Sequence, residues 1–174
     1  MNNGNNIILI GMPGSGKSTA GVLSAKALCK DFFDTDLLIQ SNEKIPLQDI
    51  INLKGTEYFI SCEEKAIVSL DLNNTVIATG GSVIYSEKAM THLKSLGKIV
   101  YLKLSEDTMK SRIKNITTRG VVIRQGNTLS EMYAERSPLY KKFADVIIDC
   151  DKRTVEQTVS DIVRLCPKFC VNSK

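Results

Sequence analysis

The sequence predicts an α/β protein, a three-layer sandwich built on a five-stranded parallel sheet. Three observations predict it. Short β-branched apolar runs alternate with longer helix-forming stretches along the chain, the pattern of strands joined by helical crossovers. The first run, Ile7–Ile10, leads directly into a glycine-rich turn and then a helix-friendly stretch from Thr19 to Leu28. The chain's 174 residues, 43% of them hydrophobic, are enough for one buried core and a single domain.

In chain order, the strand candidates are Ile7–Ile10, Phe32–Phe33, Thr75–Ala78, Ile99–Leu102 and Val146–Ile148. Helical segments fall at about 17–30, 37–43, 47–54, 57–71, 86–95, 105–114, 128–142 and 154–165. Strands alternating with helices imply right-handed crossovers, and ligands then bind at the carboxyl ends of the strands. The chemistry is therefore expected at residues 11–18, 34–36 and 79–82, each just after a strand.

Bulk properties exclude several classes. The net charge is +4 with both signs interspersed, which suits small anionic ligands and gives no footprint of a nucleic-acid binder. No apolar stretch is long enough for a transmembrane helix. Met1–Asn6 is polar and unlike a signal peptide, so a cytoplasmic location is expected. Cys29, Cys62, Cys150, Cys166 and Cys170 are odd in number, which argues for reduced thiols. Cys166 and Cys170 lack a second Cys/His pair for zinc. His92, the only histidine, sits in a polar helical stretch and is expected at the surface.

Residues Gly11-Met12-Pro13-Gly14-Ser15-Gly16-Lys17-Ser18 fit G-x-x-x-x-G-K-[ST]. The four fixed positions match by chance in about one window in thirty thousand, and strand, glycine loop, helix is the setting in which the pattern cradles phosphate. Glycines let backbone N–H groups approach phosphate oxygens, and the new helix aims its positive end at the same anion. Lys17 can reach the β- and γ-phosphates, and the Ser18 hydroxyl can ligate Mg²⁺. ATP and Mg²⁺ are thus the expected cofactors.

Asp34-Thr35-Asp36 closes the second strand. Where the chain turns, one carboxylate can face the metal and the other a substrate hydroxyl; alternatively, Asp36 simply N-caps the next helix. Thr79-Gly80-Gly81-Ser82 follows the third strand, where paired glycines mark either a close backbone approach or a plain turn. Residues 115–127 show neither periodicity and contain two glycines and two arginines, as expected of a lid loop over a nucleotide. Arg119 within it is either a stabiliser of transferring phosphoryl charge or a solvated loop cation. Arg136, near a helix end, could clamp a carboxylate bidentately or lie on the surface.

Taken together, these residues resemble the shikimate kinase family. The resemblance runs through GMPGSGKST at 11–19, FDTD at 33–36, a frame of Gly55, Phe59 and Glu63, VIATGG at 76–81, Arg119, and RSPLY at 136–140. It implies the P-loop NTPase fold of the nucleoside monophosphate kinase type. It implies one kinase domain over 1–174, with the lid at about 115–127 and an acceptor-binding helical region at about 37–71. It implies ATP-dependent phosphorylation of a shikimate hydroxyl to shikimate 3-phosphate, a step of aromatic amino-acid biosynthesis, by a monomer. Gly14, Ser15, Gly16, Lys17, Ser18 and Thr19 would hold ATP, Arg112 would pack on the adenine, and Arg119 would close on the phosphates. Ser18 and Asp34 would face Mg²⁺. Asp36, Gly80, Gly81 and Arg136 would bind the acceptor, with Lys17, Asp36 and Arg119 catalytic.

The chain departs from the family pattern at four places. Ile60 stands where the family has a carboxylate-binding arginine, Ser82 replaces a third glycine, Thr56 follows Gly55 in place of glutamate, and the lid reads Arg119-Gly120-Val121-Val122. Two other readings follow: a kinase for another small polyol or hydroxy acid, motivated by Ile60, and a nucleotide-binding module without turnover. The intact set Lys17, Ser18, Asp34, Asp36 and Arg119 argues against the module.

Overall fold

The structure, a computed structural model, describes residues 5–113, 121–123 and 127–166. Its strands are β1 (Asn6–Ile10), β2 (Asp31–Asp34), β3 (Thr75–Ala78), β4 (Gly97–Lys103) and β5 (Val146–Asp149). They form one sheet in the order β2-β3-β1-β4-β5, and every pairing is parallel. The helices among the described residues are α1 (Lys17–Leu28), α2 (Thr35–Glu43), α3 (Leu47–Lys54), α4 (Thr56–Val68), α5 (Glu87–Leu96), α6 (Glu106–Ile113), α7 (Leu129–Phe143) and α8 (Val155–Arg164). A short 3₁₀ turn covers Val83–Tyr85. Every expected strand and helix is present, displaced at its ends by a few residues at most.

Every residue of β1 and β3 is buried. A strand covered on both faces reads as a continuous apolar run rather than an alternation, which is how Ile7–Ile10 and Thr75–Ala78 read. The edge strands β2 and β5 are more open. A second, smaller core joins Ile39 of α2, Leu47 and Ile50 of α3, and Phe59 and Ala66 of α4. Val122, from the expected lid segment, is buried in it. Among the described residues no helix is long and apolar enough to cross a membrane.

Parallel pairing puts the carboxyl ends of the strands on one edge. Ala78 of β3 lies beside both Leu9 of β1 and Asp34 of β2, so the segments after all three strands meet there. Helix starts at that edge differ in a telling way. Helices α5, α7 and α8 are capped by the side chains of Ser86, Thr128 and Thr154. Helix α1 has Gly16 as its N-cap, at φ 87°, with no side-chain cap. Its first-turn N–H groups are therefore not spent on a side chain, and the left-handed φ is one that glycine adopts without strain.

Helix α2 begins at Thr35, two residues before the expected start. Asp36 therefore sits inside its first turn. The cap is Asp34, whose Oδ1 accepts from the Asp36 backbone N–H at 3.0 Å. The alternative of Asp36 as N-cap is thus corrected: Asp34 still has extended backbone (φ −111°), as an N-cap requires.

Candidate active site

One cleft is walled by Gly14, Gly16, Lys17, Ser18 and Thr19 on one side and by Asp36, Thr79 and Gly81 on the other. Ser15 lies beneath the loop, 4% exposed, and its hydroxyl has no hydrogen-bond partner among the described residues. The Lys17 ammonium folds back and donates to the carbonyls of Gly11 (2.8 Å) and Met12 (3.0 Å). Desolvation lowers its pKa to about 8, against the opposing pull of the Asp36, Asp34 and Glu63 carboxylates. The Ser18 hydroxyl donates to Asp34 Oδ2 at 2.7 Å. Arg112 Nη1 donates to the Gly14 carbonyl at 3.1 Å, placing a guanidinium against the outer turn of the loop.

The opposite wall is assembled from distant elements. Arg136 of α7 is 1% exposed. Its Nε donates to Tyr85 Oη at 3.1 Å, its Nη1 to the Gly81 carbonyl at 3.4 Å, and its Nη2 to the Val122 carbonyl. The guanidinium also stacks over the Tyr85 ring, 5.1 Å from the centroid. Tyr140, four residues on, donates to the same Gly81 carbonyl at 2.5 Å. Gly80 donates its N–H to Thr35 Oγ1 at 3.2 Å.

Gly80 has no free space for a side chain unless the neighbouring carboxyl groups shift. A Cβ there would lie 2.1 Å from Glu63 Oε1 and 2.9 Å from Asp36 Oδ1. The close approach expected from the twin glycines is therefore made by two carboxyl groups of the protein itself. Glu63, from α4, is 1% exposed, and its Oε2 accepts from Ser82 Oγ at 2.5 Å. Burial pushes its pKa up to about 7, with the Asp36 charge adding to the rise and the Ser82 bond, Arg136 and Lys17 opposing it.

This set of groups can do three things: bind a polyanion at the helix start, hold a hard cation between hydroxyl and carboxylate, and orient a polar acceptor opposite. The family model for shikimate kinase matches residues 13–167. The chain belongs to the shikimate kinase family. Shikimate kinase from Sulfurihydrogenibium sp. (strain YO3AOP1) is 34% identical over 159 residues, covering 91% of this chain and 95% of that one. Among solved structures, shikimate kinase from Acinetobacter baumannii in complex with shikimate superposes with a TM-score of 0.85 at 26% identity, over 92% of each chain. Shikimate kinase from Aquifex aeolicus vf5 gives 0.79 at 31% identity, over 91% of this chain and 94% of that one. The fold is thus the α/β P-loop fold of the shikimate kinases, and the chain is a small-molecule kinase of that family.

The expected site residues of this shikimate kinase family member largely converge. Gly14, Gly16, Lys17, Ser18, Thr19, Asp36 and Gly81 share the cleft, Ser15 underlies it, and Asp34, Gly80, Arg112 and Arg136 adjoin them. Arg119 and most of the expected lid lie outside the described residues, as do Arg124 and Cys170. The described cysteines Cys29, Cys62, Cys150 and Cys166 are free thiols. His92 is only half-buried, and its Nε2 lies 2.8 Å from the Leu70 carbonyl. Glu63, Ser82, Tyr85 and Tyr140 were not marked as site residues by sequence. For Tyr140 a signal existed: Arg136 and Tyr140 are four apart on a helix and so share a face.

Proposed function

We propose that this protein transfers the γ-phosphoryl group of ATP to a hydroxyl of shikimate, giving shikimate 3-phosphate and ADP. The observation that carries the reading is the single cleft in which Lys17 and the α1 start face Asp36 and Gly81, with Arg136 buried behind them. The A. baumannii relative solved with shikimate supports the choice of acceptor.

The residues fit the groups the reaction needs. The unpartnered Ser15 hydroxyl and the uncapped start of α1 suit a triphosphate. Ser18 and Asp34 are hard oxygen donors 2.7 Å apart, and the described residues hold no cluster of three or more acidic, histidine or cysteine ligands. That donor set suits Mg²⁺, which keeps water and phosphate oxygens and needs few protein ligands. MgATP supplies the phosphoryl group. Lys17 releases its loop carbonyls and neutralises charge on the transferring group, a role Arg119 would share from the lid at 115–127. Asp36 accepts the proton of the attacking hydroxyl. Gly80 and Gly81 contact the acceptor through backbone, Arg136 pairs with its carboxylate, and the α2–α4 region within 37–71 forms its pocket. Arg112 covers the adenine side. A cytoplasmic location, a place in aromatic amino-acid biosynthesis and a monomeric enzyme belong to the same reading.

The test is ADP release measured with shikimate and with a panel of other hydroxy acids and polyols. Shikimate should be turned over fastest; faster turnover of another acceptor would replace it in the reading. Ile60 lies half-buried on α4, one turn before Glu63, where the family pattern has an arginine. Ile60→Arg is expected to lower the KM for shikimate about tenfold, the worth of one charge-assisted hydrogen bond. The KM for ATP should stay unchanged. Steady-state kinetics on both substrates check this.

A further inference from the structure

Tyr140 is buried behind the cleft, and the reading above gives it no task. Its ring, 0% exposed, stacks on Tyr101 with 5.0 Å between centroids and 20° between planes. Its hydroxyl donates to the Gly81 carbonyl at 2.5 Å. Burial pushes the phenol's pKa up, against the opposing charge of Arg136, so the hydroxyl keeps its hydrogen at neutral pH.

Arg136, one turn earlier on α7, is aimed at the same carbonyl, but its Nη1 stands off at 3.4 Å, where a hydrogen bond is weak. The hydroxyl therefore holds this carbonyl at short range and the guanidinium does not. The bare side of Gly81 shows what the stand-off leaves open. A Cβ there would lie 3.3 Å from Arg136 Nη1 and 3.3 Å from Pro13 Cδ. Gly81 and Pro13 both line the cleft, so Nη1 borders that lining although the rest of the side chain is enclosed. Other contacts fix the guanidinium from behind. Its Nε donates to Tyr85 Oη at 3.1 Å, and its Nη2 donates to the Val122 carbonyl. Three of the five guanidinium N–H groups are thus engaged, the one to Gly81 weakly, and each terminal nitrogen keeps one more.

We propose that Tyr140 is a positioning residue for the acceptor's carboxylate: its hydroxyl occupies the Gly81 carbonyl and so keeps Arg136 Nη1 off it, available to an anionic oxygen that enters over the bare side of Gly81. Without that hydroxyl the carbonyl is an enclosed acceptor with one long bond, a costly arrangement. The donor already aimed at it is Arg136 Nη1. The guanidinium then closes on the carbonyl and turns away from the cleft. The inference rests on the reading of Arg136 as the ligand of the shikimate carboxylate.

The experiment is steady-state kinetics of wild type and Tyr140→Phe with shikimate and with its carboxamide, which keeps the ring and hydroxyls and lacks the charge. Phenylalanine retains the stack on Tyr101 and removes one oxygen. The KM for shikimate should rise about tenfold, the worth of one charge-assisted hydrogen bond. The KM for the carboxamide, the KM for ATP and kcat should stay within about twofold of wild type. In an Arg136→Met background, Tyr140→Phe should raise the KM for shikimate no further, because the two changes act on one interaction. Should Arg136→Met not fold, the comparison of acid and amide decides alone. A parallel rise for both acceptors, or the same rise with Arg136 absent, makes the hydroxyl merely structural and overturns the proposal while the shikimate reading stands. A wild type that binds acid and amide equally removes the Arg136 assignment and the proposal with it. Absence of wild-type turnover on shikimate removes the reading itself.

Discussion

Lys17→Met should lower turnover by about a thousandfold or more, the scale set by removing one preorganised cation from a phosphoryl-transfer site. Methionine keeps most of the stem and removes the charge, so packing under the loop is largely preserved. The melting temperature should therefore not fall with the activity. The Lys17 ammonium is desolvated in the fold, and its pKa drops from an ordinary 10.5 to about 8. Between those values the unfolded chain holds more protons than the folded one. Lys17 therefore makes stability rise with pH across that window, and the variant should lack that increment. Denaturant melts of both proteins at about pH 7.5 and pH 10 measure the difference. A Lys17→Met enzyme with near-normal kcat would remove the phosphate-loop assignment altogether.

The proposed nucleotide half of the site was readable because it is local in sequence. One contiguous stretch supplies the loop, the ammonium and the hydroxyl, and the strand before it and the helix after it fix its geometry. The central strands were equally plain, since burial on both faces leaves unbroken apolar runs. The edge strand β2 showed only Phe32 and Phe33, because its ends, Asp31 and Asp34, are polar and Asp31 is exposed. The start of α2 was ambiguous for a related reason. Asp34 and Asp36 are both good caps, and only the extended backbone at Asp34 decides between them.

The proposed acceptor half is assembled from α2, α4, the turn after β3, and α7, and no local pattern announces such an assembly. Arg136 alone reads as a surface residue. It is buried because Tyr85, Gly81 and Val122 give it three acceptors, which satisfy a charge that would otherwise be costly inside. Glu63 was visible only as part of a spacing frame. Its importance comes from what it meets across space: Ser82, the bare side of Gly80, and Asp36.

Asp36→Asn separates the remaining pair of roles in the Asp34-Thr35-Asp36 turn. Asp34 caps α2 and accepts the Ser18 hydroxyl, so its replacement by alanine should cost about 1 kcal/mol of stability for the lost cap as well as activity. Asp36 donates only its backbone N–H to that cap, and asparagine keeps it. Asp36→Asn should thus melt close to wild type. Its turnover should fall by about 10²- to 10⁴-fold, the usual contribution of a positioned general base. The carboxylate of Asp36 is also the largest influence holding Lys17 charged against its burial. Its removal should push the Lys17 pKa below 8, so the loss of nucleotide affinity should grow as pH rises from 7 to 8.5. Nucleotide titrations across that range, beside turnover and thermal melts, give three independent readouts. A variant that melts lower but turns over normally would assign Asp36 to the helix; one that melts normally and turns over slowly assigns it to the acceptor hydroxyl.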